Sequence, residues 1–380
     1  MSDSSTMQLA MGDETTRELT RIWQELLGLD TVTTDQNYFD LGGDSSLAVH
    51  LFARIEKRFH IKLPLATLFE APTIEELARV VREHEAEPQG TEDNASAGGW
   101  SPLVAIQKQG TRPIFFCMHG AGGNVLIYRE LAQYLGADQP FYGLQAQGLD
   151  GGRAPLGTIE EMATLYVKEI RRVQTHGPYL IGGYCMGGTL AYEVARQLRE
   201  SGEEISLLAL FDTMDWSNVK LPGFWTRVYH EIERMYFHAA NFFRLDGAGK
   251  KKFFEEKLEA LRNRLPVWKG MLAARFSNGD GATNSHARVL GDIWRANDRA
   301  CIVYVPQPFA GVVTDFRPMK QYRMFDLPNV KWERLAQGGE QVVNLPVYPA
   351  GMLVEPFVRH LATALRSRID SVIAAGQPAH

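Results

Sequence analysis

The chain has 380 residues, 45% of them hydrophobic and 22% charged, an ordinary balance for a folded protein with ample material for a core. A net charge of −5 and three scattered cysteines, Cys117, Cys185 and Cys301, argue against a nucleic-acid surface, a disulfide framework and a C-x-x-C zinc site. No run reaches the roughly 20 apolar residues that cross a bilayer, and the first residues lack a basic-then-apolar leader. The expectation is a cytoplasmic protein of about two or three domains, with neither nucleic acid nor membrane among its partners.

From Thr15 to about His84 apolar residues recur at helical spacing. Leu19, Ile22, Trp23, Leu26 and Leu27 form one stripe. A polar loop leads into Asn37-Tyr38-Phe39-Asp40-Leu41-Gly42-Gly43-Asp44-Ser45-Ser46-Leu47, where Asp44 or Ser45 caps a second helix through Val49, Phe52, Ile55 and Phe59. Leu63-Pro64 and Leu68-Phe69 make a connecting turn, and Thr73 with Glu76 predicts a capped last helix. These signals predict a small four-helix bundle over 12–84. The polar stretch 85–101, rich in Glu, Gly, Ala, Ser and Asn, reads as a flexible linker.

A different pattern occupies 102–376. Pro113 to Met118 is a wholly apolar strand running into His119-Gly120-Ala121-Gly122-Gly123. A helix through Tyr128, Leu131 and Leu135, a strand at Phe141–Leu144 and a helix from Ile159 to Gln174 follow. Strands at Tyr179–Ile181 and Ser206–Phe211 come next, the latter ending at Asp212. Apolar runs alternating with amphipathic helices predict a mostly parallel sheet covered on both faces. Between the Tyr179 strand and a helix from Thr189 lies Gly183-Tyr184-Cys185-Met186-Gly187, a nucleophile elbow with cysteine in the place of serine. Glycines let strand and helix pack closely, and the helix N-terminus is expected to favour a thiolate. Taken alone, the pentapeptide also suits an inert buried cysteine or a phosphate-binding loop. Residues 215–288, with Phe224, Trp225, Tyr236, Phe242 and Phe243, read as a helical lid. The sheet resumes at Gly311–Phe316 and near Gln341–Leu345, and a helix from Val354 to about Ile373 closes the chain.

Phe39-Asp40-Leu41-Gly42-Gly43-Asp44-Ser45 resembles the attachment motif of acyl and peptidyl carrier domains, and the helix order and Pro72-Thr73 match as well. The resemblance implies a 4′-phosphopantetheine arm on Ser45 rather than Ser46, placed there by a phosphopantetheinyl transferase. A plain serine cap is the bland alternative. Residues from Pro113 to about Leu365 resemble the thioesterase domains of nonribosomal peptide and polyketide synthases, through His119-Gly120, Gln145-Ala146 with Gly148, the elbow, and Phe211-Asp212-Thr213. This implies an α/β-hydrolase fold in which Cys185 accepts the acyl group. Asp212 would be the acid, and the N–H groups of Ala121 and Met186 would form the oxyanion hole. His119 is expected to be structural.

The histidine of the family's late G-x-H-x-x-M-L-x-x-P stretch is absent. Aligning Met352-Leu353 and Glu355-Pro356 puts Pro349 in its place, and His360 falls in the last helix. His230, His238 and His286 remain as substitutes. Cysteine is nucleophilic without a base, whereas attack by water gains roughly 10²–10⁴-fold from one. Easy acyl loading and slow hydrolysis are therefore expected, with passage to an amine or another carrier's thiol beside hydrolytic release. These 380 residues hold no adenylation, ketosynthase or condensation region, so stand-alone enzymes are expected to load the arm. The alternative is a catalytically silent platform that presents the carrier to partner synthases.

Overall fold

The computed structural model describes residues 3–43, 45–61, 63–86, 101–149, 151–213, 281–318, 332–347 and 351–376. Residues 3–86 lie in one compact unit, while 101–213 and 290–376 lie in a second. The first unit is helical: α1 (Asp3–Leu27), α2 (Ser45–Phe59), α3 (Thr67–Glu70) and α4 (Ile74–Ala86). The predicted stripe Leu19, Ile22, Trp23, Leu26 and Leu27 is buried, together with Tyr38, Leu51, Phe52, Ile55 and Leu77. Thr73 and Glu76 form the expected capping box: the Glu76 N–H donates to Thr73 Oγ1 at 3.2 Å and the Thr73 N–H to Glu76 Oε2 at 3.2 Å. Tyr38 stands edge-on to Trp23, with ring centroids 5.3 Å apart. A Cβ on Gly43 would fall 2.4 Å from the Tyr38 ring, so this position, two ahead of Ser45, admits only glycine without displacing a core aromatic.

The second unit is built on seven strands: β1 (Leu103–Gln107), β2 (Phe115–Met118), β3 (Phe141–Leu144), β4 (Tyr179–Tyr184), β5 (Ile205–Phe211), β6 (Val313–Pro318) and β7 (Glu340–Leu345). Their order is β1-β3-β2-β4-β5-β6-β7. All pairs are parallel except β1, which lies antiparallel on β3. The helices are α5 (Arg129–Leu135), α6 (Ile159–Val173), α7 (Met186–Glu200), α8 (Gly281–Val303), which belongs to this unit from Leu290 on, α9 (Trp332–Leu335) and α10 (Val358–Gly376). Phe116, Ile181, Leu208 and Leu210 share one core with α6, α7 and Ala300, Cys301 of α8. Alternate residues such as Phe115, Phe141 and Phe211 turn to the opposite face, and α5 and α10 pack against each other. This is the α/β-hydrolase architecture expected from the alternating pattern.

Three features differ from that expectation. Edge strand β1 was not expected: it is evenly half-buried, and its apolar run, Leu103-Val104-Ala105-Ile106, is short and without the alternation that marks a one-sided strand. The last helix starts at Val358 rather than Val354, because Pro356 lacks an N–H and biases Glu355 away from helical backbone. Helix α8 runs through residue 288, where the lid was expected to end, and continues to Val303. The aromatic stretch Phe224–Phe243 lies outside the described residues. Among the described residues no helix is long and apolar enough to cross a membrane.

Candidate active site

Strand β4 ends at Tyr184, helix α7 begins at Met186, and Cys185 makes the turn between them with φ 56° and ψ −118°. For a non-glycine residue this backbone is strained, and a surrounding frame must hold it. The Cys185 N–H donates to Phe211 O at 2.9 Å and the Gly188 N–H to Cys185 O at 3.1 Å. A Cβ on Gly183 would meet Gly187 O at 2.1 Å, and one on Gly187 would meet Met118 O at 2.3 Å. The flanking glycines of the motif are therefore demanded by close packing. Tyr128 completes the frame. Its hydroxyl donates to Met118 O at 2.6 Å and accepts from the Tyr184 N–H at 3.0 Å, bridging β2 and β4 where they part.

Asp212 follows β5, whose Phe211 is register partner of Tyr184, so Asp212 stands abreast of Cys185 on the neighbouring strand. It is buried, has φ 44°, and its N–H donates to Phe316 O at 2.9 Å. Burial pushes the Cys185 thiol up to about 12; the Met186 N–H, directed at the sulfur, works against this, and the negative charges of Asp212 and Asp298 add to it. The thiolate expected from the helix N-terminus is thus reversed at rest. One N–H and a helix dipole do not offset removal of the sulfur from water next to two carboxylates.

His119 is wholly buried at the end of β2, with Nδ1 2.7 Å from Gly120 O and Nε2 2.7 Å from the Tyr166 hydroxyl. A carbonyl can only accept, so Nδ1 carries the proton and Nε2 accepts from Tyr166. Burial lowers His119 to about 4 against the pull of the Gly120 carbonyl, leaving the ring neutral. Both nitrogens are engaged, so His119 is a structural residue. The Gly120 carbonyl also accepts from the Gly123 N–H at 2.9 Å. Two donors thus fix the Gly120–Ala121 peptide, and its Ala121 N–H points away from them, as a trans peptide requires. The next peptide is held as well: Asn297 Nδ2 of α8 donates to Ala121 O at 2.9 Å.

The turn brings together Cys185, Asp212, Met186 and the Ala121 loop. Ser45 is the first residue of α2, in the other unit. His360 is exposed on α10. Pro349, His230 and His238 lie outside the described residues, as does the side chain of His286. Asn297 and Asp298 were missed in sequence. Leu290, Ile293, Asn297 and Cys301, at three- and four-residue spacing, are the signal that marks their helix.

A mostly parallel sheet with a cysteine at its strand–helix elbow, an aspartate following the next strand and a loop of held peptides has the α/β-hydrolase layout. Residues 113–267 match the thioesterase domain family, and residues 17–81 match the phosphopantetheine attachment site family. The chain is 41% identical over 202 residues to malpibaldin synthetase of Mortierella alpina, covering 53% of this chain and 4% of that protein. It is 38% identical over 191 residues to a dimodular nonribosomal peptide synthase of Bacillus subtilis (strain 168), covering 50% of this chain and 8% of that protein. A solved four-domain nonribosomal peptide synthetase shares the fold over 93% of this chain and 26% of its own, with 23% identity and a TM-score of 0.54. The chain thus holds a phosphopantetheine attachment domain followed by a thioesterase domain, is similar to nonribosomal peptide synthetases over about half of its length, and spans a small fraction of the length of these relatives. The two matches put a carrier-type domain and a thioesterase-type domain in one chain.

Proposed function

We propose that the chain takes an acyl, aminoacyl or peptidyl thioester at Ser45, moves the acyl group to Cys185, and releases it to water or to an acceptor in natural-product biosynthesis. The observation that carries this reading is Cys185 at a framed elbow, between the Met186 N–H and the pinned Ala121 peptide. Ser45 suits a phosphodiester, because it opens a fifteen-residue helix whose first N–H groups have no intrahelical acceptor. The 4′-phosphopantetheine group would supply the thiol that bears the acyl chain.

Cys185 Sγ attacks the thioester carbonyl carbon, and the carbonyl oxygen becomes an oxyanion received by the N–H groups of Ala121 and Met186. Each such donor is worth on the order of 3 kcal/mol. The bond from that carbon to the donor sulfur then breaks, and the donor thiol leaves with the proton that Cys185 gave up. One thioester replaces another, so the step is close to thermoneutral. Asp212 acts as the acid beside the nucleophile. Pro349 in the family's histidine position favours transfer to an amine or carrier thiol, and the thioesterase family favours hydrolysis.

Synthetase-type partners follow from the carrier domain. A phosphopantetheinyl transferase would act at Ser45, and stand-alone adenylation, ketosynthase or condensation enzymes in the cytoplasm would load it. We place the carrier at 12–84, the linker at 85–101 and the thioesterase domain at 102–376. The test is peptide mass spectrometry on the chain loaded at Ser45 with a simple acyl-pantetheine, beside Cys185→Ala. Acyl mass accumulating on Cys185 supports a transferase. Loss to water only when Cys185 is present supports a hydrolase. Acyl that stays at Ser45 in both proteins refutes the reading.

A further inference from the structure

Helix α8 lies directly on the loop that carries the Ala121 N–H. Were Gly123 to bear a Cβ, Ile293 Cγ2 would be 2.7 Å from it, and the Trp294 ring would be 3.6 Å from a Cβ on Gly122. Between these contacts and Cys301, Asn297 is 1% exposed and gives its Nδ2 to Ala121 O at 2.9 Å. Because a carbonyl requires a donor, the amide's orientation is fixed and Oδ1 is the atom left over. That Oδ1 is buried and has no hydrogen-bond partner. The loop that Asn297 holds lies against the elbow, since a Cβ on Gly120 would stand 3.7 Å from Tyr184 O, and the charges of the next residue, Asp298, and of Cys185 bear on each other. Beyond α8, Tyr304 hydroxyl donates to Glu193 Oε2 of α7 at 2.8 Å, tying the end of this segment to the elbow helix.

A buried acceptor without a donor is costly, and folded proteins keep few of them. We propose that Asn297 is a specificity-determining residue: its Oδ1 accepts the N–H of an N-acylated α-amino group in the acyl chain bound at Cys185. The inference rests on the reading of Cys185 as the acyl acceptor. In such a substrate the N–H stands two bonds from the thioester carbonyl carbon, and the oxyanion of that carbon is received by the Ala121 N–H. One side-chain amide therefore holds the oxyanion loop with its nitrogen and reads the substrate with its oxygen. A chain with methylene in place of N–H leaves Oδ1 unpaired and binds less well, by the rule that a site built for a hydrogen bond rejects the ligand lacking it.

The test uses two thioesters of N-acetylcysteamine that differ only at that atom, N-acetylglycyl and levulinoyl, on the full chain. Acylation of Cys185 is followed by peptide mass spectrometry, each rate normalised to that of the same probe with free N-acetylcysteine. The expected normalised preference for the amide probe is about tenfold or more, falling to within about twofold of unity in Asn297→Leu. A preference near unity in the native chain overturns the proposal, as when a trapped water satisfies Oδ1, and this arm needs no variant to fold. A preference that survives in Asn297→Leu, with both rates lowered together, also overturns it and leaves Asn297 as a holder of the loop. If neither probe acylates Cys185, the proposed function fails and the inference with it.

Discussion

The His119 hydrogen bonds make acid stability a direct measure of how the Gly120–Ala121 loop is held. Burial lowers His119 to about 4, whereas in the unfolded chain a histidine titrates near 6.5. The unfolded state then binds the extra proton first. The contribution of the neutral ring is complete above pH ~6.5 and is lost as the pH falls toward about 4. From these two values the loss at pH ~5 is about 2 kcal/mol, approaching about 3.4 kcal/mol at still lower pH. Other groups titrate in the same range, so the comparison is with His119→Asn, whose amide can donate to Gly120 O but does not titrate. Unfolding of the second unit in urea is followed at Cys117, which is fully buried on β2. A pyridyl disulfide that reacts in acid reports its exposure, and mass spectrometry localises the label. Between pH ~7.5 and ~5 the native chain should lose about 2 kcal/mol more than the variant. Curves that stay parallel to within roughly 0.5 kcal/mol would refute a neutral His119 locked between Gly120 O and Tyr166.

Gly183→Ala places a Cβ 2.1 Å from Gly187 O; acyl transfer to Cys185 should fall by at least about 100-fold, since small misplacements at a reacting centre cost that much. With its thiol pushed up to about 12, Cys185 should react with iodoacetamide tenfold faster for each unit of pH from about 7 to 10; a plateau near pH ~9 would contradict the burial argument. Tyr128→Phe removes the hydroxyl that accepts from the part-buried Tyr184 N–H and donates to Met118 O, and should cost about 1–3 kcal/mol of unfolding free energy together with a lower rate of Cys185 acylation. Thr73→Ala removes the α4 cap and should cost the first unit about 1 kcal/mol, read by hydrogen exchange in α4.

Much of this protein is legible locally. The Leu19–Leu27 stripe, the Thr73–Glu76 cap and the apolar run into His119 each announce their element, because helix periodicity and capping are set by neighbours in sequence. The glycines around Cys185 likewise mark the elbow, since steric demands of a tight turn fall on adjacent residues. The structural role expected for His119 agrees with its two occupied nitrogens. What the tertiary structure decided is the state of the site. A helix N-terminus read in isolation favours a thiolate, yet Cys185 is a thiol at rest because burial and two carboxylates, one of them 113 positions along the chain (298 − 185), outweigh one N–H. The same separation hides Asn297, which meets Ala121 across 176 positions. Desolvation and long-range pairing depend on what the fold brings together, and no local pattern carries that information.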